Sequence, residues 1–237
     1  MIDQGADMLD IGGESTRPGA ARVEALEQIR RVEPVIQQLR QHSQIPISID
    51  TTLGPVALAA LNAGANIVND VSGGEEDPEL LRIAATHGAG VILMHRLCAP
   101  GQDQYSDAYV SPPHYNNVTR DVLEKLLFLT QRAQSAGVSR QCIVIDPGFG
   151  FGKTVQQNFE LLQRFNEIAA SGFPVMASLS RKSFLGAVCG GQQPSERLPA
   201  SIAAAGIAIQ QGAAILRVHD VAEHAQLLHI CLAVGAC

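Results

Sequence analysis

No tryptophan occurs in the 237 residues, and aromatic side chains make up only 4% of the chain. The composition is otherwise that of a globular protein, with 46% hydrophobic residues. A basic excess is also missing, since 17 Lys and Arg stand against 23 Asp and Glu, a formal charge of −6. Nucleic-acid-binding chains usually carry a basic stripe, so this balance argues against that class while leaving room for a local basic pocket. No apolar run approaches the ~18–20 residues of a membrane span, and no signal peptide is visible. The cysteines Cys98, Cys142, Cys189, Cys231 and Cys237 are odd in number and lack C-x-x-C spacing. Scattered thiols of this kind predict a reduced, cytoplasmic setting rather than a disulfide framework. The histidines form neither H-x-H nor H-E-x-x-H, which removes support for a zinc hydrolase.

What the chain does contain is an alternation. Short runs rich in Val and Ile recur as MLDIGG (8–13), IPISID (45–50), NIVNDVS (66–72), GVILMH (90–95), CIVIDPG (142–148), PVMASLS (174–180) and ILRVH (215–219). Being apolar at nearly every position, they predict parallel strands covered on both faces. Helical spacing lies between them. Apolar residues recur from Leu26 at Ile29, Val32, Val35, Ile36 and Leu39, and again at Phe159, Leu162, Phe165 and Ile168.

This pattern leaves a doubly wound open sheet or a (β/α)8 barrel. Nearly every run ends in a polar residue: Asp10, Asp50, Asn69 with Asp70, His95, Asp146, Ser180 before Arg181 and Lys182, and Arg217 with His219. An open sheet collects only two or three strand ends at its switch point, whereas a barrel gathers all of them around one mouth. The expected fold is therefore α/β, a TIM (β/α)8-type barrel in which residues 1–237 form a single domain. Seven strands are visible where such a barrel needs eight. The opening MIDQGAD reads as the tail of a first helix, so the first strand and its loop are expected to be missing from an N-terminally truncated chain.

Around the predicted mouth stand Arg17, Arg181, Lys182, Arg217 and His219, a set of cations that fits an anionic substrate. The alternative is that some of them pair with rim carboxylates. Asp50, Asn69 and Asp146 offer buried polar groups that a flat nitrogen heterocycle could satisfy, or that could satisfy one another. The glycine-rich GGESTRPGA (12–20) supplies Thr16 and Arg17 on a turn stiffened by Pro18. SRKSFLG (180–186) opens a helix where Ser180 or Ser183 could hold an anion, while Lys182 could instead form a Schiff base. His95 and His219 read as hydrogen-bonding groups at the mouth.

DPGFGFGKT (146–154) looks like a P-loop and is not one. Pro147 stands where the first glycine is needed and has no N–H to offer a phosphate. The third glycine also comes one residue too early for G-x-G-x-x-G. Lys153 and Thr154 are expected at the surface.

In this order, GGESTRPGA, SIDT, NDVSG, LMH, DPGFGFGK, SRKSFLG and RVHD resemble the dihydropteroate synthase family, from about Met8 to about Val221. The resemblance implies a transferase of folate biosynthesis that condenses 6-hydroxymethyl-7,8-dihydropterin pyrophosphate with p-aminobenzoate, giving dihydropteroate and pyrophosphate. By motif, Asp50, Asn69, Met94, Asp146 and Lys182 would hold the pterin. Thr16, Arg17, Pro18, Phe151 and Ser183, with Lys182, would form the p-aminobenzoate side. Arg217 and His219 would bind the pyrophosphate, and Asp146, Lys182, Arg217 and His219 would be the catalytic group. The resemblance further implies Mg²⁺, with no ligand among the residues of this chain, and a homodimer.

The family's Asn-Val-Thr-Pro-Asp-Ser-Phe loop, whose asparagine helps bind Mg²⁺ and pyrophosphate, does not occur here. Ser178 stands where the family usually has glycine, so extra bulk is expected near the ring. The segment 96–115 is longer than usual in the family and has no assigned role. Three other readings stay open: a non-catalytic or vestigial pterin-binding protein, a pterin-dependent methyltransferase, and an aldolase using Lys182.

Overall fold

The computed structural model describes residues 1–235; the thiol of Cys237 lies outside them. The other four cysteines are free. Among the described residues seven strands form: β1 (Leu9–Gly12), β2 (Ile47–Asp50), β3 (Ile67–Asp70), β4 (Gly90–Met94), β5 (Ile143–Asp146), β6 (Met176–Ala177) and β7 (Ile215–Leu216). All pairings are parallel. β1 to β5 follow in sequence order, β6 pairs with β7, and a single bridge from Ile145 to Val175 joins the two groups. This is the (β/α) barrel expected from the alternation. Each strand falls within its predicted run but is shorter, most of all β6; among the described residues β7 has a strand partner only on its β6 side.

No strand pairing joins β7 to β1 among the described residues. Side chains cross that gap instead: Arg217, just after β7, donates to Asp10 on β1 and Asp50 on β2. The opening residues make a short 3-10 turn, Ile2–Gln4, rather than an α-helical tail.

The pleat sorts the strand residues into two layers. On β2, Ile47 and Ile49 face outward into the hydrophobic core, while Ser48 and Asp50 belong to the polar interior of the barrel. On β3 the same alternation separates Asn69, which bonds to Asp10, from Asp70, which accepts from Ser72 and Gly74 of its own turn. Asp70 therefore closes a turn and is not part of the mouth. The outer layer consists of α1 (Ala25–Arg40), α2 (Gly54–Ala63), α3 (Glu79–Thr86), α4 (Val118–Ser135), α5 (Val155–Gln163), α6 (Phe165–Ala169), α7 (Ser183–Val188), α8 (Leu198–Gln210) and α9 (Val221–Ala233).

In α1, Val32 and Ile36 are fully buried, whereas Leu26 and Val35 lie outside the stripe and are exposed. The spacing from Phe159 to Ile168 covers two helices, because the chain leaves helical geometry at Arg164 (φ −110°). Leu162, Phe165 and Ile168 remain buried across the break.

Candidate active site

The strand C-termini open onto one cavity of about 1320 Å³. Five polar side chains from neighbouring elements meet there. Arg217 donates from Nε to Asp10 Oδ2 (2.6 Å) and from Nη2 to Asp50 Oδ2 (2.8 Å). Asn69 Nδ2 donates to Asp10 Oδ2 (3.2 Å), and Ser48 Oγ donates to Asp10 Oδ1 (2.5 Å). Asp50 Oδ1 is buried and has no hydrogen-bond partner. A buried carboxylate oxygen without a donor is costly, so this atom is suited to a ligand N–H.

Asp146 stands at the end of β5, 1% exposed and beside the cavity-lining Ser178. Its Oδ1 accepts from the Gly148 N–H and its Oδ2 from Ser178 Oγ, both at 2.7 Å. Ser178 lines the cavity and at the same time supports the carboxylate. Burial pushes the Asp146 carboxyl upward, against the pull of these hydrogen bonds and of Lys182. Burial, reinforced by the charge of Asp10, also pushes Asp50 up to about 7, although Arg217 pulls the other way. Burial lowers the Lys182 amine to about 8, with Asp146 opposing the shift. Two acids are thus shifted up and one base down, with Asp50 and Lys182 close to neutral pH, a pattern typical of binding and catalytic sites.

An apolar wall completes this side. Val71, Met94 and Phe151 form a small buried cluster separate from the main core, and Lys182 Nζ sits 4.4 Å from the centre of the Phe151 ring. The glycines of DPGFGFGK make this possible. A Cβ on Gly148 (φ +68°) would come within 2.0 Å of the His95 carbonyl oxygen, and Gly150 (φ +80°) faces the Lys182 stem. Phe149 turns outward into the core against Phe165 and Phe184, so Phe151 turns to the cavity.

Thr16, Arg17 and Pro18 also line the cavity, as do Ser183 and Gly150. Ser183 Oγ accepts from the Ser106 N–H (3.3 Å). His219 is half-buried, and its Nδ1 lies 3.0 Å from Ser180 Oγ. Burial and the charges of Arg181 and Arg217 keep its pKa below the usual imidazole range. Of the five cations expected here, Arg181 is turned away onto Asp220 in a two-pronged pair. Arg217 is also paired, but two of its five N–H donors suffice for those contacts, and the side chain is 40% exposed. Arg181 has φ +59°, the strained turn that sends Lys182 back toward the mouth.

Several residues escaped sequence reasoning. Lys153, expected at the surface, is fully buried, and Thr154 caps α5 by accepting from the Gln157 N–H. His95 is buried beneath the loop, bonded to Lys153 rather than lining the mouth. Ser180 and Ser183 both line the cavity, their hydroxyls accepting from the His219 and Ser106 N–H groups. The segment 96–115 lies over the rim. Its Asp103 accepts from the Gly152 N–H (3.0 Å), Pro100 O accepts from the Gly19 N–H (2.8 Å), and Tyr105 lines the cavity.

The family described as "Pterin binding enzyme" matches residues 1–219. The chain is 42% identical over 230 residues to the dihydropteroate synthase of Synechocystis sp., covering 97% of this chain and 78% of that protein. It is 44% identical over 236 residues to a probable bifunctional folylpolyglutamate synthase/dihydropteroate synthase of Haloferax volcanii; this chain spans only 27% of that longer protein. The structure is similar to that of Burkholderia cenocepacia dihydropteroate synthase complexed with 7,8-dihydropteroate, with a TM-score of 0.90 at 44% identity. That match covers 99% of this chain and 84% of the other. The chain belongs to the pterin-binding enzyme family.

Proposed function

We propose that the chain is a dihydropteroate synthase, acting through residues 1–237 as one pterin-binding barrel domain. The observation that carries this reading is the unpartnered Asp50 Oδ1 at a cavity lined by Asn69, Phe151 and Lys182, with the Asp146 carboxylate held behind Ser178 of the same lining. Such a slot is apolar for a flat ring and acidic for ring N–H groups. The product bound by the Burkholderia relative contains both a pterin and a p-aminobenzoyl group.

In the proposed reaction the C–O bond at the pterin methylene breaks, and its electron pair leaves with pyrophosphate. Arg217, with three uncommitted N–H donors, and His219 receive that anion. Positive charge left on the pterin is stabilised by Asp146, held in place by Gly148 and Ser178. The amine nitrogen of p-aminobenzoate, lodged between Phe151 and the Thr16–Pro18 loop, then forms the C–N bond and releases a proton to the aqueous mouth. Asn69 and Lys182 complete the pterin side, and Ser183 the amine side.

Mg²⁺ is implied by the resemblance. Among the described residues no group of three or more His, Cys, Asp or Glu side chains is placed to hold a metal. Asp10 and Asp50 are engaged by Arg217, so these residues do not fit the ion and no step is routed through it. A homodimer would cover exposed Ile207 on α8 and Ile230 and Leu232 on α9. The free thiols support a cytoplasmic location, and no helix among the described residues is long and apolar enough to cross a membrane.

Calorimetric titration with 6-hydroxymethyl-7,8-dihydropterin pyrophosphate tests the reading, with saturable binding expected at one site per chain. Ser178→Ala removes one donor from Asp146 and should weaken that binding by about tenfold, the effect of losing a hydrogen bond to a charged group. Absence of binding by the folded wild-type chain would contradict the proposal.

A further inference from the structure

Lys153 is fully buried and contacts no carboxylate among the described residues. Its ammonium has three N–H donors and three acceptors: Gly148 O (2.9 Å), Phe151 O (2.9 Å) and His95 Nδ1 (3.1 Å). Burial lowers the amine to about 7, while the charges of Asp146 and Asp103 help it keep its proton. A methionine would fill similar space without the cost of burying an ammonium. The lysine therefore calls for a reason beyond filling the core.

The loop it serves supplies one. Gly148, Gly150 and Gly152 all have positive φ, so the backbone has little stiffness of its own. It is held from outside. Gly150 N–H donates to Asn158 Oδ1 (2.8 Å), Gly152 N–H to Asp103 Oδ2 (3.0 Å), and Tyr115 OH to Gly152 O (2.8 Å). Those contacts leave the Phe151 carbonyl to Lys153, which also shares the Gly148 carbonyl with the Phe151 N–H (3.1 Å) of the loop's own turn. Its bond to His95 ties the same loop to the residue next to Met94, so one ammonium links two of the three members of the apolar wall.

We propose that Lys153 is a positioning residue: tying Gly148, Phe151 and His95 together from beneath, it fixes the Phe151 ring under Lys182 and sets the arylamine side of the mouth. This inference rests on the dihydropteroate synthase reading for its substrate but not for its geometry.

The test uses Lys153→Met and Lys153→Gln in the full chain. Lys153→Met should raise KM for p-aminobenzoate by about tenfold, since sub-ångström misplacement of a substrate wall has effects of this order. The dissociation constant for the pterin pyrophosphate should change less, by no more than about threefold, because Asp50 stays bound to Arg217 and Asp146 to Ser178. Lys153→Gln, which retains two N–H donors, should recover part of the loss and serves if the Met variant does not fold. In a Phe151→Leu background the further effect of Lys153→Met should shrink to about twofold or less, as expected for residues acting as one unit. Amide hydrogen exchange of segment 147–153 should quicken by about tenfold in Lys153→Met with the α4 amides unchanged.

An unchanged KM in both variants, a loss confined to kcat, or full additivity with Phe151→Leu would overturn the proposal. Should the wild-type chain bind no pterin pyrophosphate, the functional reading fails, and the exchange data alone decide on Lys153: unaltered exchange at 147–153 rejects it.

Discussion

Asp146→Asn is expected to lower kcat by about 10²–10³-fold, the usual cost of removing one group aimed at charge that develops in a transition state. The substitution is nearly isosteric. Its carbonyl oxygen can still accept from the Gly148 N–H, and Ser178 Oγ can rotate to accept from the new amide, so both hydrogen bonds at 2.7 Å have replacements. What disappears is the negative charge. Asp146 is only 1% exposed, so water cannot screen that charge or take its place. The ground-state pterin is neutral, and the charge Asp146 faces arises only when pyrophosphate departs. Binding of the pterin pyrophosphate should therefore weaken by no more than about tenfold while kcat falls much further. Single-turnover kinetics beside calorimetry separate the two. Equal losses in affinity and kcat/KM with kcat unchanged would mean that Asp146 anchors the substrate and nothing more.

Arg217→Met should have the second-largest effect, and it should depend on pH. Arg217 spans the interval between β7 and β1, where backbone pairing stops, and neutralises Asp10 and Asp50. Removing it leaves two neighbouring carboxylates facing each other. Breaking a buried pair from one side costs about 3–5 kcal/mol, and 40% exposure of the guanidinium reduces this to roughly 2 kcal/mol. Asp50 titrates near 7 in the fold, above its unfolded value of 3.8, so the folded state binds the extra proton between those limits. Its contribution to stability is thus greatest below about pH 4 and declines as pH rises toward 7. Without Arg217 the carboxyl moves higher still, and the decline extends above 7. Urea denaturation should show Arg217→Met losing about 2 kcal/mol against wild type at pH 8 but less than about 1 kcal/mol at pH 5. Turnover at pH 8 should fall by about 10²-fold as the anion loses its charge-assisted donors. A stability loss equal at the two pH values would remove Arg217 from its place between the carboxylates.

Much of this architecture was legible in the chain. Ile47, Ile49, Val91 and Leu93 announce parallel strands by being apolar, and the polar residue at each strand end locates the mouth without any contact map. Asp50, Asn69, Asp146, Lys182 and Arg217 were found in this way; the structure brings four of them to one cavity and places Asp146 behind its Ser178. Periodicity was less informative where it had to separate facing from merely nearby positions. Leu26 and Val35 match an apolar spacing yet are exposed, and Arg164 interrupts a stripe that continues on either side.

Three functional features lay beyond local reasoning because their partners are distant in the chain. Ser178 reads as bulk until Asp146 is seen 32 positions away accepting its hydrogen bond. Lysine after glycine in a loop reads as solvated, and nothing in DPGFGFGKT reveals that His95, 58 positions upstream, waits beneath it. The segment 96–115 has no periodicity at all. Its role comes from single contacts to Gly19, Gly152 and Ser183, which only the folded barrel brings within reach.

The most direct measurement is product formation: incubation of the full chain with 6-hydroxymethyl-7,8-dihydropterin pyrophosphate and p-aminobenzoate, followed by mass spectrometry for 7,8-dihydropteroate. The account predicts catalytic release of dihydropteroate and pyrophosphate in equal amounts, both slowed about 10²–10³-fold by Asp146→Asn. Pterin pyrophosphate bound at the mouth with no dihydropteroate formed would contradict it and leave the chain a pterin-binding protein without synthase activity.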